Sequence, residues 1–125
     1  MAIRRVVVVA MPCNEVVEVG GILDIFYIVN EQARHTGASD AGYAVEVVSP
    51  VETVCTWPGL RLVADRTYRA VRFFIDTLIV TGIDEPDDAK RDPELVRWLA
   101  RMAPRTRRMV GLCTGSFVLA EAGLL

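Results

Sequence analysis

The sequence predicts a flavodoxin-like α/β domain, a mostly parallel sheet with helices on both faces and a β-hairpin inserted into the plan. Three observations predict it. The run Val6-Val7-Val8-Val9 is β-branched and apolar at every position, as a strand covered on both faces requires. Strand-like and helix-like segments then alternate along the chain, which favours parallel strands joined by crossover helices. Finally, 125 residues, 52% hydrophobic and 24% charged, provide for one core and one domain.

The first strand stops at Pro12. Ile22, Ile25, Phe26, Val29 and Ala33 then recur at helical spacing and are expected to face the sheet, and Thr36-Gly37-Ala38-Ser39-Asp40 reads as the loop that follows. A second strand is expected over 43–48. The segment 53–64 reads as a hairpin turning at Trp57-Pro58-Gly59, with Pro58 and Gly59 supplying the central dihedrals of a type II turn. A third buried strand spans 77–81, closed by Gly82, and 83–91 reads as an exposed acidic loop. Asp92-Pro93-Glu94 supplies an N-cap, a proline at the first helical position and an acid in the first turn, ahead of Leu95, Val96, Leu99, Met102 and Ala103 on one face. Pro104 ends that helix. A strand over 107–112 and a short helix over 115–122, with Gly123 as its C-cap, complete the chain.

Composition narrows the function. With 14 basic and 16 acidic side chains the net charge is -2, so this stretch lacks the basic excess that nucleic-acid binding draws upon. Cys13, Cys55 and Cys113 are too few and too widely spaced for a disulfide framework or a zinc site, so no metal or cofactor is expected and a cytoplasmic setting is. The apolar run 6–11 is shorter than a secretion signal, and no stretch approaches the roughly 18 residues of a membrane span.

The chemistry concentrates in Met109-Val110-Gly111-Leu112-Cys113-Thr114-Gly115-Ser116-Phe117, where a strand runs through Gly-x-Cys-x-Gly directly into a helix. This is the nucleophile-elbow pattern with cysteine in the serine position. The glycines are needed because so sharp a turn leaves no space for side chains on either side of the nucleophile. The thiol then projects above the sheet at a helix N-terminus, where free N–H groups favour negative charge.

The stretch from Val110 to Leu125 resembles the elbow segment of the ThiJ/PfpI branch of the class I glutamine amidotransferase-like superfamily. More narrowly, it is similar to the N-terminal sensor domains of GlxA-type regulators of the AraC class. Arg4 to Val9, Leu23-Asp24-Ile25-Phe26, Gly59-Leu60 and Asp76 to Gly82 extend the resemblance. It implies that Cys113 is the nucleophile or its remnant and that Glu18 is the acid contacting it. It also implies that backbone N–H groups of Gly82 and Ile83 face the nucleophile, with Thr114 supplying a further donor. Many members carry Gly-Gly where this chain has Thr81-Gly82. Catalytic members pair the cysteine with a later histidine, whereas the only histidine here, His35, is expected at an exposed helix end.

The same resemblance implies further strands, a helix and two helix-turn-helix units after Leu125, so residues 1–125 are expected to form an incomplete domain. The expected function is ligand sensing and homodimerisation in a transcriptional regulator that takes a small-molecule effector and contacts DNA only through a domain beyond residue 125, with no membrane association. The alternative is a cysteine-dependent hydrolase or an isonitrile-hydratase-like lyase. Of the remaining residues, Cys13 reads foremost as a small buried hydrophobe and secondarily as a flank of the pocket. Cys55 reads as packing or a bystander. Arg97, Arg101, Arg105, Arg107 and Arg108 read as a solvated face. Trp57 and Trp98 either cap a pocket, join a dimer contact or edge the core.

Overall fold

A computed structural model describes residues 3–38 and 42–125, so Ser39 and Asp40 of the expected loop lie outside the described residues. In chain order the elements are β1 (Arg4–Val9), α1 (Val16–His35), β2 (Tyr43–Ser49), β3 (Thr53–Cys55), β4 (Arg61–Val63), β5 (Arg66–Thr67), β6 (Ile75–Val80), α2 (Pro93–Met102), β7 (Thr106–Gly111) and α3 (Gly115–Glu121). Five strands form a parallel sheet in the order β5-β2-β1-β6-β7, and β3 and β4 form a separate antiparallel hairpin. The expected α/β architecture is therefore present, with its hairpin.

The valine run explains the layers. Successive strand residues point to opposite faces. Val6 and Val8 pack with Ile79 against Ile22 and Phe26 of α1, while Val7 and Val9 join Leu78, Val80, Leu95, Leu99, Val118 and Leu119 beneath α2 and α3. All four valines are fully buried, each stabilising the fold by roughly 1.5–3 kcal/mol. The chain leaves β1 toward β2 on one side and returns with β6 on the other. Such a reversal of strand order opens a crevice at the carboxyl ends of the strands.

Several local expectations are corrected. Ile25 is 62% exposed and Val29 is 44% exposed, rather than facing the sheet. Asn30 takes the inward position near that end of α1: its amide donates to the Tyr43 carbonyl at 2.8 Å and accepts from the Tyr43 N–H at 2.9 Å. The outer side of α1 thus carries Val17, Ile25 and Ile28 in solvent. In the hairpin, Gly59 has a φ of 94°, but the closing hydrogen bond runs from its own N–H to the Thr56 carbonyl. Trp57 and Pro58 are therefore the central residues, one position earlier than expected. The 83–91 segment contains a 3-10 turn at Pro86–Lys90 with a reciprocal cap between Glu85 and Asp88, and it buries Ile83 and Ala89. The two-residue strand β5 and the 3-10 turn Tyr68–Ala70 have no counterpart in the sequence reading.

Arg107 and Arg108 do not form a free solvated face. Arg107 forks onto Asp76 at 2.7 and 3.1 Å, and Arg108 lies 3.6 Å from the same carboxylate. These partners, the Arg107 hydrogen bonds foremost, hold the Asp76 carboxyl down at about 2.

Candidate functional site

The site is assembled at the carboxyl edge of the sheet, beginning with the elbow. A Cβ on Gly115 would overlap the Val80 carbonyl oxygen and lie 2.6 Å from that of Thr81, while one on Gly111 would lie 2.7 Å from Ser116 Cα. Both glycines are therefore demanded by close approach of backbone to backbone. The turn they permit holds Cys113 in the left-handed region at φ 53°, exposed, with the Ser116 hydroxyl donating to its carbonyl at 2.9 Å.

Thr114 ties this turn to the end of β6. Its hydroxyl accepts from the Ile83 N–H at 2.9 Å and donates to the Ile83 carbonyl at 2.7 Å. From the first turn of α1, Glu18 Oε2 accepts from the Gly82 N–H at 2.7 Å. A Cβ on Gly82 would come within 3.0 Å of Thr114 Oγ1 and 3.2 Å of Glu18 Oε2, so only glycine lets both side chains close over the backbone there.

The five residues singled out in the sequence, Glu18, Gly82, Ile83, Cys113 and Thr114, line one cavity of about 250 Å³. Their contacts differ from expectation in one respect. The Gly82 and Ile83 N–H groups do not stand free toward the nucleophile, because a carboxylate and a hydroxyl already accept from them. Glu18 likewise spends its hydrogen bond on Gly82 rather than on Cys113.

Cys13 corrects the sequence reading further. It is exposed, has a φ of 62° and lines the same cavity. Asn14 beside it is buried, its amide donating to the Met11 carbonyl at 2.6 Å, while the Cys13 N–H donates to the Cys55 carbonyl at 2.9 Å. The chain is thereby folded back with the thiol outward. Pro12 and Asn14, both turn residues, are the only sequence signal of this. Trp57 reaches the cavity because its N–H donates to the Asn14 carbonyl at 2.8 Å, docking the hairpin tip onto the turn after β1. Glu15 and Asp84 complete a lining rich in carboxylates that sequence reasoning did not assemble.

The other candidates lie elsewhere. Trp98 is buried in the core against Tyr68, Cys55 is exposed on the hairpin, and His35 is exposed in the last turn of α1, outside the cavity. Among the described residues no three histidine, cysteine, aspartate or glutamate side chains are grouped to hold a metal ion, and no helix is long and apolar enough to cross a membrane.

A parallel sheet with a reversal of strand order, a cysteine elbow at its carboxyl edge and a glutamate in the facing helix define a flavodoxin-like protein of the cysteine-elbow class. The model of the DJ-1/PfpI family matches residues 4–125, and the chain belongs to that family. It is 43% identical over 51 residues to the HTH-type transcriptional regulator Rv1931c of Mycobacterium tuberculosis, an alignment covering 41% of this chain and 20% of that protein. It is 32% identical over 126 aligned positions to an uncharacterized protein in the cpoL 5' region of Streptomyces lividans, covering 98% of this chain and 82% of that one. A crystal structure of a candidate transcriptional regulator from Vibrio parahaemolyticus superposes with a TM-score of 0.82 at 26% identity, over 99% of this chain and 63% of that one. The chain thus spans a fifth of the Mycobacterium regulator and under two thirds of the Vibrio protein.

Proposed function

We propose that this domain senses a small molecule in the Cys113 cavity and forms a homodimer, as the N-terminal part of an AraC-type transcriptional regulator whose DNA-binding part lies beyond residue 125. The observation that carries this reading is the occupancy of the Gly82 and Ile83 N–H groups by Glu18 and Thr114. Acyl transfer needs preorganised donors aimed at the developing oxyanion, and here two such donors hold the walls of the cavity together instead. A thiol in a rigid pocket without those donors recognises a ligand more readily than it turns one over. Likeness to the Mycobacterium and Vibrio proteins supports the regulator half of the reading. The outward apolar residues of α1 support dimerisation, because such a stripe gains by being covered.

The alternative, a cysteine-dependent hydrolase or an isonitrile-hydratase-like lyase, is favoured by one observation: Cys113 keeps the exposed, left-handed elbow geometry with a glutamate in the same cavity. Assay of the full-length protein and its Cys113→Ala variant with amide, glutamine, isonitrile and α-oxoaldehyde substrates decides between them. Sensing predicts ligand-dependent operator binding without turnover. Turnover of about 1 per second or faster, abolished by the substitution, would establish the enzyme.

A further inference from the structure

A second cavity, about 430 Å³, runs between α2 and the 68–73 segment and shares no lining residue with the Cys113 cavity. Its floor is aromatic: Tyr68 and Trp98 are buried with ring centroids 5.2 Å apart. Its rim is cationic. Arg69 is neutralised by a two-pronged ion pair with Glu94 at 2.7 and 2.8 Å. Arg72, Arg101 and Arg105 have no carboxylate within ion-pair distance among the described residues, although the chain as a whole carries a net charge of -2. The Arg72 guanidinium is anchored at the rim by donating to the Arg69 carbonyl at 2.6 Å. These three arginines therefore rim a groove whose one lining carboxylate, Glu94, is already paired with Arg69.

An independent observation points the same way. The hydroxyl of Tyr68, a lining residue, is buried with no hydrogen-bond partner among the described residues. Like any tyrosine at neutral pH it is a protonated donor, and burial, with Asp92 nearby, raises its pKa further. A buried donor without an acceptor is costly, and an anionic oxygen is the acceptor that repays it most. Arg69 lies over the Tyr68 ring, 4.6 Å from its centroid.

We propose that this groove binds an organic anion, a carboxylate or phosphate carried on a flat apolar body. The body lies against Phe73 beside Trp98, and the head takes Arg72, Arg101 and Arg105, whose guanidinium forks match both oxyanions. The Cys113 cavity repels the same ligand, because Glu15, Glu18 and Asp84 line it. The groove is therefore a site separate from the effector pocket.

Calorimetric titration of the full-length protein with 2-naphthoate, 2-naphthyl phosphate and neutral 2-naphthamide tests this. At least one of the two anions is expected to bind about tenfold or more tighter than the amide, and the tighter of them identifies the head group. Arg72→Glu/Arg101→Glu is expected to lose that binding while the protein stays folded by circular dichroism, since both side chains are exposed, and Arg105→Glu provides a second, independent reversal. Equal binding of the amide, no binding of either anion at millimolar concentration, or binding that survives the charge reversals would overturn the assignment. Loss of binding in Cys113→Ala would place the ligand in the other cavity and overturn it as well.

Discussion

Two turns at the carboxyl edge of the sheet reach the same result by different means. After β1 the chain places Cys13 at φ 62°, after β7 it places Cys113 at φ 53°, and both thiols open on one cavity. At Cys113 the constraint is steric, since a Cβ has no room on Gly111 against Ser116 or on Gly115 against the Val80 and Thr81 carbonyls. At Cys13 the constraint is distributed among Pro12, the buried Asn14 amide and a hairpin carbonyl, that of Cys55. A turn imposed by absent side chains is written in the sequence around it. One held by hydrogen bonds is written there only in part, because the Asn14 bond to Met11 is local whereas the Cys55 carbonyl arrives only once the hairpin has docked.

This contrast predicts unequal tolerance. Gly115→Ala drives a methyl into two carbonyl oxygens of the β6 end and is expected to cost about 3 kcal/mol in denaturant unfolding, the largest effect of the set. A cost below about 1 kcal/mol would mean that the elbow is looser than its packing indicates. Asn14→Ala, in the distributed turn, removes one side-chain hydrogen bond, to the Met11 carbonyl, and is expected to cost about 1–2 kcal/mol while leaving the Cys113 side of the cavity unchanged by NMR.

The opposite edge of the sheet gauges how local both turns are. The Asp76 carboxyl is depressed from 3.8 to about 2, so its contribution is fully present above pH 3.8 and is lost as pH falls through about 2. Because Arg107 is half exposed, that contribution is screened to about 1 kcal/mol. Asp76→Asn should lower stability by that amount at pH 6 and by nothing near pH 1.5, with no chemical-shift change at either cysteine. A cavity that responds would show the sheet transmitting strain between its edges.

The legible parts of the molecule are those whose cause lies within a few residues. Val6 to Val9 declare a doubly covered strand, and Asp92 caps α2 as its spacing requires, its Oδ1 accepting from the Leu95 N–H at 3.0 Å. Gly111 is equally local, its obstructing neighbour being Ser116, whereas Gly115 is required by the Val80 and Thr81 carbonyls and is recognised only through the Gly-x-Cys-x-Gly spacing. What the sequence could not show depends on remote partners. Glu18 meets Gly82 across 64 positions and Thr114 meets Ile83 across 31, so the chain displays the donors but not who occupies them. Ile25 lies outward while Asn30 of the same helix is claimed by the Tyr43 backbone, and β5 is too short for any periodicity to register.

All three cysteines are exposed and two of them are left-handed, so neither property alone singles out Cys113. The elbow does: Gly111 and Gly115, which have no room for a Cβ, set Cys113 immediately ahead of Thr114, the N-cap of α3, whose first turn carries no acid of its own. Brief treatment of the intact protein with iodoacetamide, followed by mass-spectrometric mapping, tests this most directly. Cys113 is expected to be alkylated first, about tenfold ahead of the other two; labelling of Cys13 or Cys55 while Cys113 remains untouched would contradict the account.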